Sequence, residues 1–119
     1  MALYDQLPVY KVSYDLLLQL YQIYGRMHRD YKFTLGEKIK NESTELIINI
    51  YTANTREAKT ETLEKARKNI EVIRLLLHIY KDLKQISIQD FIAVPQKVES
   101  CSKQINAWYA QQMKTNPPL

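Results

Sequence analysis

The chain contains few of the residues that interrupt helices or build disulfide frameworks. Its 119 residues include two glycines, four prolines and one cysteine. A lone cysteine cannot form an intrachain disulfide, and the shortage of glycine and proline, beside many leucines, glutamates and lysines, favours helix over sheet. We therefore predict an all-α protein with a single domain over residues 1–114 and a disordered tail at residues 115–119.

Long apolar runs are missing too, and so is a leader in which basic residues precede an apolar segment. These absences predict a cytoplasmic protein with no membrane partner. The net charge is a moderate +4, and its excess is concentrated in residues 56–84, which hold eight lysines and arginines against five acidic residues. This segment is therefore the first candidate for a surface that binds an anionic partner.

The residues needed for the common catalytic and metal-binding motifs are also too few. A nucleotide-binding loop requires Gly-x-x-x-x-Gly-Lys-Ser/Thr after a buried strand, whereas Gly36 stands alone in "YKFTLGEKIKNE". Neither histidine follows a glutamate by three residues, as in di-iron bundles, and His28, His78 and Cys101 are too few for a zinc site. We expect Cys101 to be a packing residue and the protein to be a non-enzyme without metal or cofactor.

The apolar residues recur at helical spacing in four segments joined by short polar connections. This pattern predicts an antiparallel up-down-up-down four-helix bundle. The predicted helices cover residues 8–28, 34–54, 60–84 and 88–113.

Local signals place the ends of these helices. Thr34-Leu35-Gly36-Glu37 matches a capping box and predicts that helix two begins at Thr34, while Ser87 is the predicted cap of helix four. Gly36 would then lie one turn inside helix two, where glycine is unfavourable, and this suggests that a neighbouring helix passes too close for a side chain. Pro95 predicts either a kink in helix four or a break near Val94.

Helices one and two each depart from a simple pattern of one apolar and one polar face. Helix one has an apolar stripe and a separate stripe rich in tyrosine, so it has two apolar faces. The inward face of helix two includes Glu42 and Asn49, and a buried Glu42 needs a partner, for which a tyrosine of helix one or an arginine of helix three is suitable. The tyrosine-rich stripe consists of Tyr10, Tyr14, Leu17, Tyr21, Tyr24 and His28.

Helix three has a core repeat, a wide apolar arc and a narrow polar stripe. The core repeat consists of Leu63, Ala66, Ile70, Ile73, Leu77 and Tyr80. The arc exceeds what a monomeric bundle needs, so we predict that the chain is a homo-oligomer. The predicted subunit contacts are Tyr14, Tyr21, Val72, Leu76, Ile79 and Leu83.

The polar stripe of helix three is mainly cationic. It consists of Arg67, Glu71, Arg74, His78 and Lys81. Repeated by symmetry in an oligomer, such a stripe predicts binding of nucleic acid, either RNA or DNA. The tyrosines could stack on bases, but their helical spacing favours packing between helices and subunits.

The chain resembles a known family over nearly its whole length. The resemblance is carried by "PVYKVSYDLLLQLY", "YKFTLGEKIKNESTELIINIY", "LEKARKNIEVIRLLLHIYKDLKQIS" and "INAWY". It is to the four-helix-bundle family that includes the accessory variability determinants of diversity-generating retroelements and the proteins encoded in bacterial ribosomal-RNA intervening sequences. "YKFTLGEKIKN" and "RLLLHIYKDLKQIS" look closer to the retroelement branch.

The resemblance implies a barrel-shaped homopentamer that associates with a reverse transcriptase and its RNA. The nucleic-acid contacts it implies are Arg67, Arg74, Lys81, Arg56 and Lys68. Two alternatives stay open, namely an intervening-sequence bundle of unknown role and a bundle that docks an acidic protein through its basic face. A bundle that binds a metal or a small ligand is a further, weaker alternative.

Overall fold

Four long helices form the framework of the structure, a computed structural model that describes residues 6–55, 59–115 and 117. No strand occurs in these residues, which confirms the all-α prediction. The helices are α1 (Pro8–Arg26), α2 (Glu37–Thr55), α3 (Thr60–Asp82) and α4 (Ile88–Thr115). A short turn, Arg29–Tyr31, and a π-helical segment, Lys32–Gly36, lead into α2.

Neighbouring helices run antiparallel. Between α1 and α2, Tyr21 meets Thr44 and the later Tyr24 meets the earlier Glu37. Between α3 and α4, Arg67 meets Asn106 and the later Arg74 meets the earlier Glu99. Each helix packs mainly against two others, so that α1 and α3 occupy opposite corners of the bundle. The single chain therefore has the predicted arrangement of four helices, with neighbours antiparallel.

The core contains the residues predicted from the repeat of α3. All six members of that repeat are buried, and Tyr80 is buried completely while its hydroxyl donates a hydrogen bond to the Leu35 carbonyl of the π-helical segment. α1 contributes Leu16, Leu20 and Ile23 to the same core. The spacing of apolar residues therefore predicts the buried faces of α1 and α3 correctly.

The start of helix two differs from the prediction. The chain becomes helical again at Arg29, after His28, whose Nδ1 accepts a hydrogen bond from the Asp30 amide. Thr34 therefore lies inside helical backbone, and its hydroxyl donates to the Tyr31 carbonyl. The prediction that Thr34 caps helix two is therefore wrong. Contacts of this segment with the bundle keep the backbone helical before Thr34, although the local motif predicts a helix start there.

The predicted close approach at Gly36 is confirmed. Gly36 is buried, and the ring of Tyr24 and the sulfur of Met27 lie against it. The carboxylate that the capping box would have used belongs to Glu37, and it accepts a hydrogen bond from the Tyr24 hydroxyl at 3.1 Å. The same local sequence is therefore used for packing of α1 against α2.

The second half of the bundle follows the predicted signals more closely. The Ser87 hydroxyl oxygen accepts a hydrogen bond from the Asp90 amide at 3.0 Å, which confirms the predicted cap of α4. α3 ends before Lys84, which adopts a left-handed conformation with φ of 58°. α4 continues through Pro95 as one helix, so the predicted alternative of a break near Val94 is wrong.

Candidate nucleic-acid and assembly surfaces

An open groove of about 400 Å³ lies between α3 and α4. Its walls combine basic and acidic side chains with two apolar ones at the floor, Ile70 and Ile105. The basic residues are Arg67, Lys68, Arg74 and Lys103, and the acidic residues are Glu64, Glu71 and Glu99. The groove therefore contains both charges, with one more positive than negative side chain.

Arg67 is fixed across this groove. Its Nε donates a hydrogen bond to Asn106 Oδ1 at 3.0 Å, and Nη1 lies 3.0 Å from Glu64 Oε2. Its guanidinium carbon is 4.4 Å from the centre of the Tyr109 ring, within the range of a cation–π contact. Arg67 therefore joins α3 to α4, and part of its charge is balanced by Glu64.

Arg74 is paired more strongly with carboxylates. It binds Glu99 through Nε at 2.8 Å and Nη2 at 2.6 Å, and it also donates to Glu71 of its own helix. The stripe that the sequence predicts as mainly cationic is thus largely neutralised at this point. The pattern of α3 alone could not show it, because Glu99 lies on α4.

The unpaired positive charge of the groove comes from its lysines. Within the described part of the chain, the side chains of Lys68 and Lys103 form no hydrogen bond or ion pair, and both are exposed. Lys81 is not among the residues that line the groove; it is exposed, with Nζ 5.0 Å from the centre of the Phe91 ring. Arg56, the remaining predicted nucleic-acid contact, lies outside the described residues.

The sequence pattern does not predict a role for Lys103, Asn106 or Tyr109 at this groove. These α4 residues follow Glu99 at spacings of three and four, so they share one helical face. That spacing was a usable signal for a polar face on α4. It could not show that this face lies against the arginines of α3.

A polar network connects α2 and α3 on the other side of the bundle. Asn69 is buried, and its Nδ2 donates to Glu42 Oε2 at 2.8 Å while its Oδ1 accepts from Asn49 Nδ2 at 2.8 Å. The predicted need of Glu42 for a partner is confirmed, but the partner is Asn69, not a tyrosine or an arginine. Both polar atoms of the buried Asn69 amide are therefore bonded within the chain, which assigns the network a structural role.

All four helices carry exposed apolar side chains, and two groups of them, on α1 and α3, lie at opposite corners of the bundle. The α1 patch consists of Tyr14 and Leu18, and the α3 patch consists of Val72 and Leu75, with the half-buried Ile79 beside them packed against the core. Leu75 is 60% exposed, although it is not among the predicted subunit contacts. Because α1 and α3 are diagonal, the two patches point in different directions.

The other predicted subunit contacts occupy different environments. Leu76 is only 4% exposed and belongs to the core, which removes it from the predicted interface because its side chain already packs inside one chain. Leu83 is half-buried at the end of α3. Tyr21 lies on the α1 side that faces α2, where its hydroxyl is 3.1 Å from that of Thr44.

Within residues 6–55, 59–115 and 117, no three histidine, cysteine or acidic side chains come together as metal ligands would. In the same residues, no helix is both long and apolar enough to cross a membrane. Cys101 is buried, and burial raises the pKa of its thiol from 9.0 to about 12, so at neutral pH the thiol is protonated.

Comparison with known protein families gives a match that covers nearly the whole bundle. The family described as bAvd-like, where bAvd denotes the bacterial accessory variability determinant, matches residues 7–112. No curated protein matches the chain. The matched segment runs from the residue before α1 into the last turn of α4, so it includes all four helices. The chain therefore belongs to the bAvd-like family of accessory proteins.

Proposed function

We propose that this protein is a non-catalytic, oligomeric, nucleic-acid-binding accessory protein that works with a reverse transcriptase and its RNA in a diversity-generating retroelement. The observation that carries the proposal is the α3–α4 groove, in which two arginines are fixed and two lysines remain unpaired among the described residues. Membership of an accessory-protein family supports the same role.

The fixed arginines and the unpaired lysines contribute differently to binding. Arg67 and Arg74 already share hydrogen bonds with Glu64, Glu71 and Glu99, so their charge is partly neutralised. Lys68 and Lys103 can approach a phosphate without giving up an intrachain partner. We therefore propose that the two lysines make the main phosphate contacts and that the two arginines maintain the shape of the groove.

Oligomerisation would repeat the modest positive charge of the groove on every subunit. The α1 patch and the α3 patch are different surfaces, and a contact between different surfaces is heterologous, so it closes into a ring when the rotation between subunits permits. A ring of five, as in the family resemblance, would repeat the α3–α4 groove around its surface. The positive charge of one subunit would then act together with that of the others.

Sedimentation of the purified protein tests the oligomer. The wild type is expected to sediment as an oligomer at micromolar concentration, and Leu75→Glu, which places a charge in the α3 patch, is expected to sediment as a monomer with unchanged helical circular dichroism. Ile92→Glu is the matched control, because Ile92 is an equally exposed isoleucine on α4 (61%) outside both patches. A stable wild-type monomer would contradict the proposed assembly.

Charge reversal of the lysines tests binding. Lys68→Glu with Lys103→Glu is expected to weaken retention of RNA strongly at low salt while the helical signal stays intact. Lys11→Glu with Lys114→Glu changes the net charge equally at exposed positions outside the groove and is expected to retain binding. Equal retention by the two double variants would overturn the proposed role of the groove.

Salt dependence separates this role from docking of an acidic protein. Each phosphate that is neutralised adds about 0.7 to the slope of log affinity against log salt for single strands and about 0.9 for duplex DNA. A steep slope for RNA, absent for an acidic polypeptide, supports the nucleic-acid function. A stronger and salt-tolerant interaction with the polypeptide would favour the alternative partner.

Gene context tests the biological assignment. A reverse-transcriptase gene and a pair of near-identical repeats beside this gene would support the retroelement role. A location inside a ribosomal-RNA gene would instead support the intervening-sequence branch, and it would remove the reverse transcriptase as partner.

A further inference from the structure

Aromatic rings and lysines alternate along the surface where α1 meets α2. Lys32 Nζ lies 5.9 Å from the ring centre of Phe33 and 5.2 Å from that of Tyr24. Lys40 Nζ lies 4.2 Å from the ring centre of Tyr24 and 5.8 Å from that of Tyr21. The order is Phe33, Lys32, Tyr24, Lys40, Tyr21, and we call these five residues the aromatic–lysine seam.

The two end rings of the seam are open to solvent. Phe33 is 67% exposed and Tyr21 is 41% exposed, while Tyr24 between them is half-buried. A phenylalanine held two-thirds exposed gains little from burial within its own chain. Its position instead leaves a large flat apolar surface available to a partner.

The two lysines of the seam differ in their acidic neighbours. Within the described residues Lys32 has no acidic partner, whereas Lys40 Nζ is 3.3 Å from Glu37 Oε2. The hydrogen bond to Glu37 raises the pKa of Lys40, so its ammonium group remains charged well above neutral pH. The seam therefore presents two cations between three rings, with one nearby carboxylate.

This combination fits one class of partner better than others. Unpaired bases have flat faces that stack on aromatic rings, and the phosphates between them are attracted to lysines. In a duplex the base faces are covered by their neighbours and cannot reach such rings. An acidic protein would use the lysines but would not need exposed rings flanking them.

We propose that the aromatic–lysine seam is a binding surface for single-stranded nucleic acid, with bases stacked on Phe33 and Tyr21 and phosphates near Lys32 and Lys40. The proposal rests on the nucleic-acid function above and adds to the α3–α4 groove a second surface with preference for unpaired strands. It also moves Tyr21 from the predicted subunit interface to this surface.

Fluorescence anisotropy with a short labelled oligo(dT), and with a duplex of the same length, tests the seam. The wild type is expected to bind the single strand more tightly than the duplex. Phe33→Ala and Tyr21→Ala are each expected to weaken oligo(dT) binding about tenfold, because each removes one stacking platform, and to leave duplex binding unchanged. Phe33→Trp should bind oligo(dT) about as tightly as the wild type, since it keeps an aromatic face.

The salt slope distinguishes the rings from the lysines. Lys32→Gln is expected to lower the slope for oligo(dT) by about 0.7, whereas Phe33→Ala weakens binding without changing the slope. Ile92→Ala and Lys11→Gln are the controls, since they make comparable changes at exposed positions away from the seam. Circular dichroism and sedimentation of every variant check that the fold and the assembly are intact.

The outcomes separate this inference from the general function. If the wild type binds oligo(dT) and the ring variants bind it equally well, the seam is excluded while the groove remains. If the ring variants dissociate the oligomer with unchanged affinity per chain, the seam is a subunit contact and the inference is wrong. If the wild type binds neither probe, the nucleic-acid function itself fails.

Discussion

The ring of Tyr24 occupies the space that a side chain at Gly36 would need. A Cβ at position 36 would lie 2.8 Å from Cδ1 of Tyr24 and 3.2 Å from the sulfur of Met27. Carbon atoms at the first of these distances overlap strongly, so only glycine fits between α1 and the start of α2. The glycine that resembles part of a phosphate loop is therefore a packing residue.

Replacement of Gly36 is expected to destabilise the protein. Gly36→Ala should lower the free energy of unfolding by about 1–3 kcal/mol, because the displaced ring of Tyr24 outweighs the better helix propensity of alanine. Gly36→Leu should lower it further and disturb assembly before it disturbs nucleic-acid binding. Urea unfolding followed by circular dichroism measures the change.

Gly25 provides the matched control. Apart from the adjacent residues and the backbone of its own helix, no atom lies within 4 Å of a Cβ at that position, and Gly25 is in the last turn of α1. Gly25→Ala should therefore raise the free energy of unfolding by up to about 1 kcal/mol. A stabilising effect of Gly36→Ala would contradict the close packing.

Loss of Asn69 should leave its partners without hydrogen bonds. In Asn69→Ala the Glu42 carboxylate and the Asn49 amide both lose a contact of 2.8 Å, and we expect a loss of about 1–3 kcal/mol in the free energy of unfolding. Asn41→Ala is the control, because Asn41 is exposed on α2. If both variants unfold at the same urea concentration as the wild type, the network has no structural role.

The ion pairs of Arg74 should contribute little to stability despite their number. The side chains of Glu71 and Glu99 are 68% and 58% exposed, so water and salt screen the attraction. Arg74→Gln is expected to lower the free energy of unfolding by less than about 1 kcal/mol, with a smaller difference in high salt. A much larger and salt-independent loss would show that Arg74 acts through packing.

Alkaline pH should destabilise the fold through Cys101. Burial raises the pKa of this thiol from 9.0 to about 12, so above pH 9 the unfolded chain releases a proton that the folded chain retains. The stabilising contribution is complete below pH 9 and is lost as the pH rises from 9 towards 12. Cys101→Ala should reduce the fall in unfolding free energy over that range, as measured by urea unfolding at several pH values.

Tyr80 must be considered in the same experiment. Its pKa is also raised by burial, so it adds to the alkaline loss of stability above pH 10 and remains in the Cys101→Ala variant. The difference between wild type and variant therefore isolates the thiol. Identical curves for the two proteins would contradict the protonated, buried state of Cys101.

The core of α3 could be predicted from the sequence because the relevant information is local. Ile70, Ile73 and Leu77 fall on one face of any helix formed by these residues, whatever packs against it. The cap at Ser87 is local in the same sense, since donor and acceptor are three residues apart. Both predictions are confirmed for that reason.

The start of α2 could not be predicted in this way. The capping-box motif at Thr34 is also local, but the backbone there is held by residues distant in sequence, among them Tyr80, which bonds to the Leu35 carbonyl 45 positions away. The packing of Tyr24 on Gly36 acts at the same place. Tertiary contacts therefore override the local preference and keep the segment helical from Arg29 onwards.

The sequence by itself determined the class of fold, the number of long helices and the faces that are buried, because helical periodicity places residues on faces without reference to partners. Only the tertiary structure decided which charges remain unpaired and which rings flank lysines. The pairing of Arg74 with Glu99, and of Lys40 with the rings of Tyr21 and Tyr24, depends on the rotation and register of neighbouring helices. Those two quantities arise from the packing of the whole core, and no single segment contains them.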